Sequence, residues 1–312
     1  FFSALVSIFY YWGIIQKVVG ALSWLLQKVM NISGTEGLVA CGNIFLGMTE
    51  SPVLIKNYLP TMNRSELFLV MVSGMGTIAG SVMGSYVGML GGQDPMVQQM
   101  FATHLLSASV MAVPGSIVIA KIMCPQTEPI QKDSKAEWGD EGHSNVLGAI
   151  SSGTVTGVKL MTNIAAMLLV FISLIAMVNY FTNNVIGHYT GLNEWIVKMT
   201  DGKSDGLTFQ FILGVITAPF MWLIGVPSDD IMLVGSLLGQ KTILNEFVAY
   251  FQLQEWRDAG LFVSQKSVIM STYILCGFAN ISSIGILLGG LGVLAPEKKD
   301  LISRTGFKAM IG

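Results

Sequence analysis

The sequence predicts an all-α polytopic membrane protein with two re-entrant helical hairpins and two broken transmembrane helices, in an order that repeats itself along the chain. Three observations carry this. The 312 residues are 52% hydrophobic and only 12% charged, with mean hydropathy +0.62, where a soluble domain is near a quarter charged. Two apolar stretches, 38–59 and 229–251, are long enough to span a bilayer but are interrupted. The first holds Gly42, Gly47, Glu50, Ser51 and Pro52, and the second Gly235, Gly239, Lys241, Asn245 and Glu246. Each is followed by an apolar segment (72–92 and 271–292) with small residues at mid-span and paired glycines at its end.

The hairpins follow from backbone chemistry. A continuous helix does not accommodate Thr49-Glu50-Ser51-Pro52 at mid-span, because the residue before a proline is pushed out of the helical region. Two half-helices that enter and leave on one side fit better. Non-helical backbone at that depth is tolerated where it is buried in protein or lines a wet cavity.

The elements then read in order. Residues 1–37 are the end of one membrane helix plus amphipathic, interface-lying helix carrying Lys17 and Lys28. Residues 38–92 are the first hairpin and broken helix. Residues 93–227 are spans at 101–120, 161–181 and 207–227, the last leaving its helix at GVPSDD, with polar loops at 124–145 and 182–206 and a short interfacial helix around Trp195. Residues 228–294 are the second hairpin and broken helix, with apolar stretch 267–294 matching 67–92. Residues 295–312 are a basic loop with Lys298, Lys299, Arg304 and Lys308, placed in the cytoplasm by the positive-inside bias, and the start of a final, truncated helix.

Several classes of function drop out. A net charge of −2 leaves no nucleic-acid footprint. Cys41, Cys124 and Cys276 are far apart, without a C-x-x-C pair, and read as small buried hydrophobes. His143 and His188 fall in loops, and His104 reads as a packing residue near the start of a span. No cleavable signal peptide is visible in FFSALVSIFYYWGIIQKVV, which runs directly into further structure. No nucleophile-elbow, zinc-protease or P-loop pattern occurs, so no catalytic residue, metal centre or resident cofactor is expected.

The two glutamates carry the chemistry. A carboxylate at membrane depth costs roughly 3 kcal/mol on insertion scales, so it is rare without a partner or a task. Glu50 belongs at the tip of the first hairpin and Glu246 in the second, beside Asn245. Asn280 and Ser283, three apart, share one face if helical, and Phe278 precedes them. Singly each has a plainer reading: a structural carboxylate (Lys241 could pair with Glu246), packing glue for Ser283, core for Phe278. Together they supply acceptors for vicinal hydroxyls and an aromatic face for a planar ring, the needs of a sugar-bearing ligand. Asn43 and Thr77, with the carbonyls of Leu46 and Ile78, offer oxygens for a monovalent cation, as unwound backbone does in secondary transporters.

At these residues the chain resembles the concentrative nucleoside transporter family, over essentially its whole length. The resemblance rests on GNIFLGMTESP (42–52), SGMGTIAGS (73–81), TILNEFVAY (242–250) and CGFANISSIGILLGG (276–290). It implies an inverted-repeat transporter fold in the plasma membrane (the inner membrane of a bacterium) and a homotrimer of independent pathways. Hairpins and broken helices would form a transport domain moving against a trimeric scaffold. It also implies that Met48, Thr49 and Glu50 face the nucleobase with Val82 and Phe278 packing on it, and that Glu246, Asn280 and Ser283 face the ribose. The family's sodium site maps onto Asn43, Leu46, Thr77 and Ile78. Many members carry glutamine at the position of Met48. The Gly47-Met48 pair resembles purine-preferring members, since a thioether gives adaptable apolar contact in place of an amide's hydrogen bonds. Members carry about three further membrane helices before the segment that opens this chain and another after it.

The expected function is cation-coupled import of nucleosides, sodium being the expected ion, with purines preferred. The alternatives are proton coupling through Glu50 or Glu246, an intramembrane enzyme using the two glutamates as acid and base, and a passive channel.

Overall fold

The computed structural model describes residues 2–128, 145–200 and 202–312. It has two compact units, Phe1–Leu160 with Cys276–Gly312, and Met161–Leu275. These divisions do not coincide with the domain limits expected from the sequence, and the two hairpins fall in different units. No strand occurs among the described residues.

The first unit opens with α1 (Phe2–Tyr11) and α2 (Ile14–Met30), set at 78° to each other. Gly13 takes φ +73 at the corner, a left-handed conformation that glycine adopts without steric cost. Along α2, Ile15, Val19 and Ser23 are buried while Trp24, Leu25 and Val29 are exposed, and Lys28 Nζ lies 5.4 Å from the Trp24 ring centre. A helix with one packed face and a second apolar face edged by lysine suits an interface, as the sequence suggests.

Hairpin 1 enters as α3 (Gly34–Gly42), turns through residues 43–50, and returns as two 3-10 segments, Ser51–Ile55 and Leu59–Thr61. The return limb is therefore not the half-helix expected. Pro52 and Pro60 each lack a donor N–H, so the chain closes short turns in place of a continuous ladder. The Ser51 hydroxyl donates to the Val39 carbonyl at 2.8 Å and ties the two limbs together.

The first broken helix is α4 (Arg64–Gly76) and α5 (Gly80–Gly91), separated by Thr77–Ala79. Taken together as Arg64–Gly91 it is one of two helices long and apolar enough to cross a bilayer among the described residues, the other being α6 (Pro95–Met123). α4 is buried almost all round, from Ser65 to Met75. A close approach fixes its last residue: a Cβ on Gly76 would lie 2.6 Å from Ser116 Oγ of α6.

α7 runs from Val146 to Asn179, 34 residues or about 51 Å at 1.5 Å per residue. The expected span 161–181 is its second half, so the helix starts a full four turns earlier than the apolar stretch implies. Within the second unit it continues as a π-helical segment, Tyr180–Gly187, the single turn α8 (His188–Thr190) and α9 (Leu192–Met199). The 182–206 connector is thus mostly helical, with the expected short helix around exposed Trp195. Its order comes from asparagines: Asn193 Oδ1 accepts from Leu207 N at 2.9 Å and Asn179 Oδ1 from Phe209 N at 2.7 Å. The other polar loop, including His143, lies mainly outside the described residues.

α10 (Phe209–Leu223) ends, as expected, just before Gly225 at φ +82. Hairpin 2 is α11 (Ile231–Ile243) and α12 (Glu246–Asp258), and α13 (Gln265–Leu275) follows it. α10 and α11 meet through glycine: a Cβ on Gly235 would lie 2.6 Å from Thr217 Oγ1, and one on Gly239 2.6 Å from Leu213 Cβ. Such small-residue contact is how helices approach closely in lipid. In the first unit, α14 (Ile281–Leu294) and α15 (Lys299–Ile311) complete the fold. Part of the basic cluster is structural, since Lys308 donates to the last carbonyl of α6, Met123 O, at 2.6 Å and Lys298 to Met62 O at 2.8 Å.

Candidate functional site

The site residues collect where helices stop. Thr77 (φ −122, ψ 163) and Ala79 (φ −63, ψ 142) are extended, so α4 ends with free carbonyls and α5 begins with free N–H groups. The second break, between α13 and α14, holds Gly277 at φ +129. A Cβ there would sit 2.9 Å from the carbonyl oxygens of both Met75 and Gly76. The two breaks are in contact, and only glycine permits it.

The turn of hairpin 1 folds onto the first break. Gly80 N donates to Phe45 O at 3.2 Å, Asn43 Nδ2 to Ser73 Oγ at 3.2 Å, and Thr77 Oγ1 to Ser73 O at 3.0 Å. Asn43, Leu46, Thr77 and Ile78 are all buried. Asn43 Oδ1 has no hydrogen-bond partner. Among the described residues, no backbone N–H is bonded to the carbonyls of Leu46 or Ile78. Buried polar groups are almost always paired, so a patch of unengaged oxygens with no carboxylate fits a monovalent cation. Ser73, which joins hairpin 1 to α4, escaped the sequence reading. Its signal was its position four residues before Thr77, on the same helical face.

The tip separates three neighbours into different surroundings. Met48 is buried, 8% exposed, and packs where a Cβ on Gly74 of α4 would lie 3.1 Å away. Thr49 lies against Gly290 of α14. Glu50 is exposed and accepts a hydrogen bond from Gly47 N at 3.2 Å through Oε2. Val82, in the first turn of α5, is buried, and Phe278 is half-buried against the core. Asn280 and Ser283 do not share a helical face: Asn280 is the N-cap of α14, with φ −147 and ψ 168. They are still joined, since Asn280 Oδ1 accepts from Ser283 N at 2.9 Å and Ser283 Oγ at 3.1 Å. Asparagine is preferred at that position because its side chain satisfies an N–H the helix cannot.

Glu246 belongs to the second unit. It is the first residue of α12, 6% exposed, behind the N-cap Asn245, whose Oδ1 accepts from Val248 N at 2.9 Å. Lys241 Nζ donates to Ile274 O at 2.9 Å and Tyr250 Oη to Thr272 O at 2.9 Å. Hairpin 2 thereby satisfies carbonyls that α13 leaves unpaired at its end. His104 is half-buried in α6, Cys41 and Cys276 are buried and Cys124 half-buried, none of the three being in a disulfide.

Comparison with known proteins identifies the family. Residues 104–312 match the family described as "Na+ dependent nucleoside transporter C-terminus", and residues 1–93 match "Nucleoside recognition". The chain belongs to the concentrative nucleoside transporter family. Over its whole length it is 40% identical to an uncharacterized transporter of Haemophilus influenzae, of which it covers 70%. It is 38% identical to sodium/nucleoside cotransporter 1 of Rattus norvegicus, of which it spans 47%. The structure of CNTnw in an inward-facing substrate-bound state superposes with TM-score 0.85 at 37% identity, covering all of this chain and 69% of that one. As a concentrative nucleoside transporter the chain is a multi-pass protein of the plasma membrane, and the reading as an intramembrane enzyme is set aside.

Proposed function

We propose that this chain forms the core of a sodium-coupled nucleoside symporter. The observation that carries the reading is the buried, unpartnered Asn43 Oδ1 beside the Thr77–Ala79 break. A sodium ion held by Asn43, Thr77 and the carbonyls of Leu46 and Ile78 would lock the turn of hairpin 1 onto the first broken helix. That turn carries Gly47, Met48, Thr49 and Glu50, which face the nucleobase, with Val82 and Phe278 packing on it. Ion and nucleoside then assist each other, because each orders the segment the other needs. Glu246, Asn280 and Ser283 take the ribose hydroxyls. Met48 favours purines, whose larger ring system gains from apolar contact.

The hairpins and broken helices (38–92 and 228–294) move as a transport domain against a scaffold within 93–227, in a homotrimer. No bond is made or broken. The sodium gradient and membrane potential drive uptake, the latter by about 2.3 kcal/mol per charge per 100 mV. The test is uptake of labelled adenosine and uridine into proteoliposomes at fixed pH, with an inward sodium gradient or with choline. Accumulation in sodium alone, larger for adenosine, is expected. Equal accumulation in choline that grows as the outside is acidified would transfer coupling to a proton.

A further inference from the structure

At the base of hairpin 1, away from its tip, two capping boxes stand together. α3 begins with Ser33 and Glu36, and α4 with Asn63 and Glu66. Both carboxyls are buried, at 0% and 3% exposure. Each uses Oε2 to accept from its own N-cap N–H, Ser33 N at 2.8 Å and Asn63 N at 3.0 Å. Their second oxygens differ. Glu36 Oε1 meets Lys121 Nζ at 2.5 Å, and that ammonium also donates to Ser65 Oγ at 3.1 Å and Gln126 Oε1 at 3.0 Å, so its three donors are used. Glu66 Oε1 is buried and makes no hydrogen bond of ordinary geometry, the Ser33 hydroxyl being the polar side chain beside this carboxyl.

The other charges on the packed elements do not relieve Glu66. On α2, Lys17 is exposed and Lys28 lies over Trp24. On α15, Arg304 pairs with Asp300, Lys308 serves Met123 O, and Lys299 runs along Gly292. Lys298 serves Met62 O. Arg64 and Glu128 line a cleft of about 430 Å³ that borders the cluster at Asn63 and Ser65, and neither is paired with Glu66 in any hydrogen bond or ion pair described. The cluster therefore holds two carboxyls and one cation. With both ionised it carries a buried, uncompensated negative charge. The N-terminal end of a helix favours a carboxylate there, but that pull is smaller than the cost of an unpaired buried charge.

We propose that Glu36, Glu66 and Lys121 form a proton-binding site, with one proton resident on Glu66 at neutral pH. The site is separate from the cation and nucleoside positions and holds whatever the transported ion. It fastens together the starts of α3 and α4, whose far ends meet through Asn43 and Ser73. Loss of the proton puts a second negative charge beside Glu36 and loosens the joint, so the protein is destabilised as pH rises.

The test is infrared difference spectroscopy of the full-length protein in D2O at pH 7, wild type minus Glu66→Gln, with melting temperature followed from pH 6 to 9. A protonated-carboxyl C=O band present in wild type and missing in Glu66→Gln is expected, with a flatter alkaline fall in melting temperature in the variant. A difference spectrum without that band, or two melting profiles that superimpose, overturns the proposal. Should Glu66→Gln not fold, Glu66→Asp keeps the carboxyl and must move the band. A band unmoved by Glu66→Asp overturns the proposal equally.

Discussion

Hairpin 1 turns through eight residues (43–50) and returns without a regular helix, whereas hairpin 2 turns at Leu244 and Asn245 and resumes at once as α12. The long turn leaves carbonyls outside any ladder and a buried amide oxygen unpaired. The short turn puts a carboxylate, Glu246, in the first turn of a helix, where free N–H groups and the helix dipole favour the anion. The first arrangement suits a cation, and the second suits hydroxyl donors. Both hairpins carry a buried amide after a glycine, Gly42-Asn43 and Gly239-Gln240, with Oδ1 and Oε1 both unpartnered. Against that shared background, the irregular return limb is what sets hairpin 1 apart.

Three changes probe this contrast, in falling order of effect. Gly277→Ala forces a side chain into a φ of +129 and against two carbonyls at 2.9 Å. It should cost about 3 kcal/mol and lower the melting temperature by several degrees; an unchanged melting curve would mean the breaks do not touch. Glu246→Gln removes a charged acceptor whose hydrogen bonds are worth about 1.5–3 kcal/mol, so ribonucleoside KM should rise about 10- to 100-fold. A 2′,3′-dideoxynucleoside should be transported alike by both forms, and an unchanged ribonucleoside KM would break the assignment.

The smallest effect concerns Asp230, buried at the start of α11. Burial pushes its carboxyl up. The neighbouring Ser267 hydroxyl, the N–H groups of Val263 and Ser264 (3.0 Å each) and Lys203 more than offset this and hold it below the usual aspartate range. Its stabilisation is complete above the unfolded pKa and is lost as pH falls through the lower folded one. Melting temperature should therefore drop on acidification below about pH 4, and Asp230→Asn should flatten that acid limb while lowering stability at neutral pH.

Much of this was legible in the sequence because membranes restrict the options. Mid-span T-E-S-P and clustered glycines mark breaks, and both breaks lie where the small residues fall. The 3-10 return limb was not legible, since proline signals the end of a helix without specifying what replaces it. The early start of α7 was hidden because Val146–Leu160 is less apolar than the stretch that follows. Asn280 was read as a helical residue from its spacing to Ser283, yet an asparagine ahead of an apolar run is also an N-cap signal. The buried oxygens of Asn43 and Glu66 that make no hydrogen bond depend on what does not reach them, which no local pattern encodes.

The central claim, that the turn of hairpin 1 with the first break holds sodium, is tested most directly by melting temperature against sodium concentration at constant ionic strength, with choline as replacement, in wild type and Asn43→Leu. Sodium should raise the wild-type melting temperature. Asn43→Leu, which removes the unpaired buried oxygen together with the Nδ2 bond to Ser73, should lose the sodium response whatever its stability without sodium. A wild type indifferent to sodium, or an Asn43→Leu variant that responds as wild type does, would contradict the account.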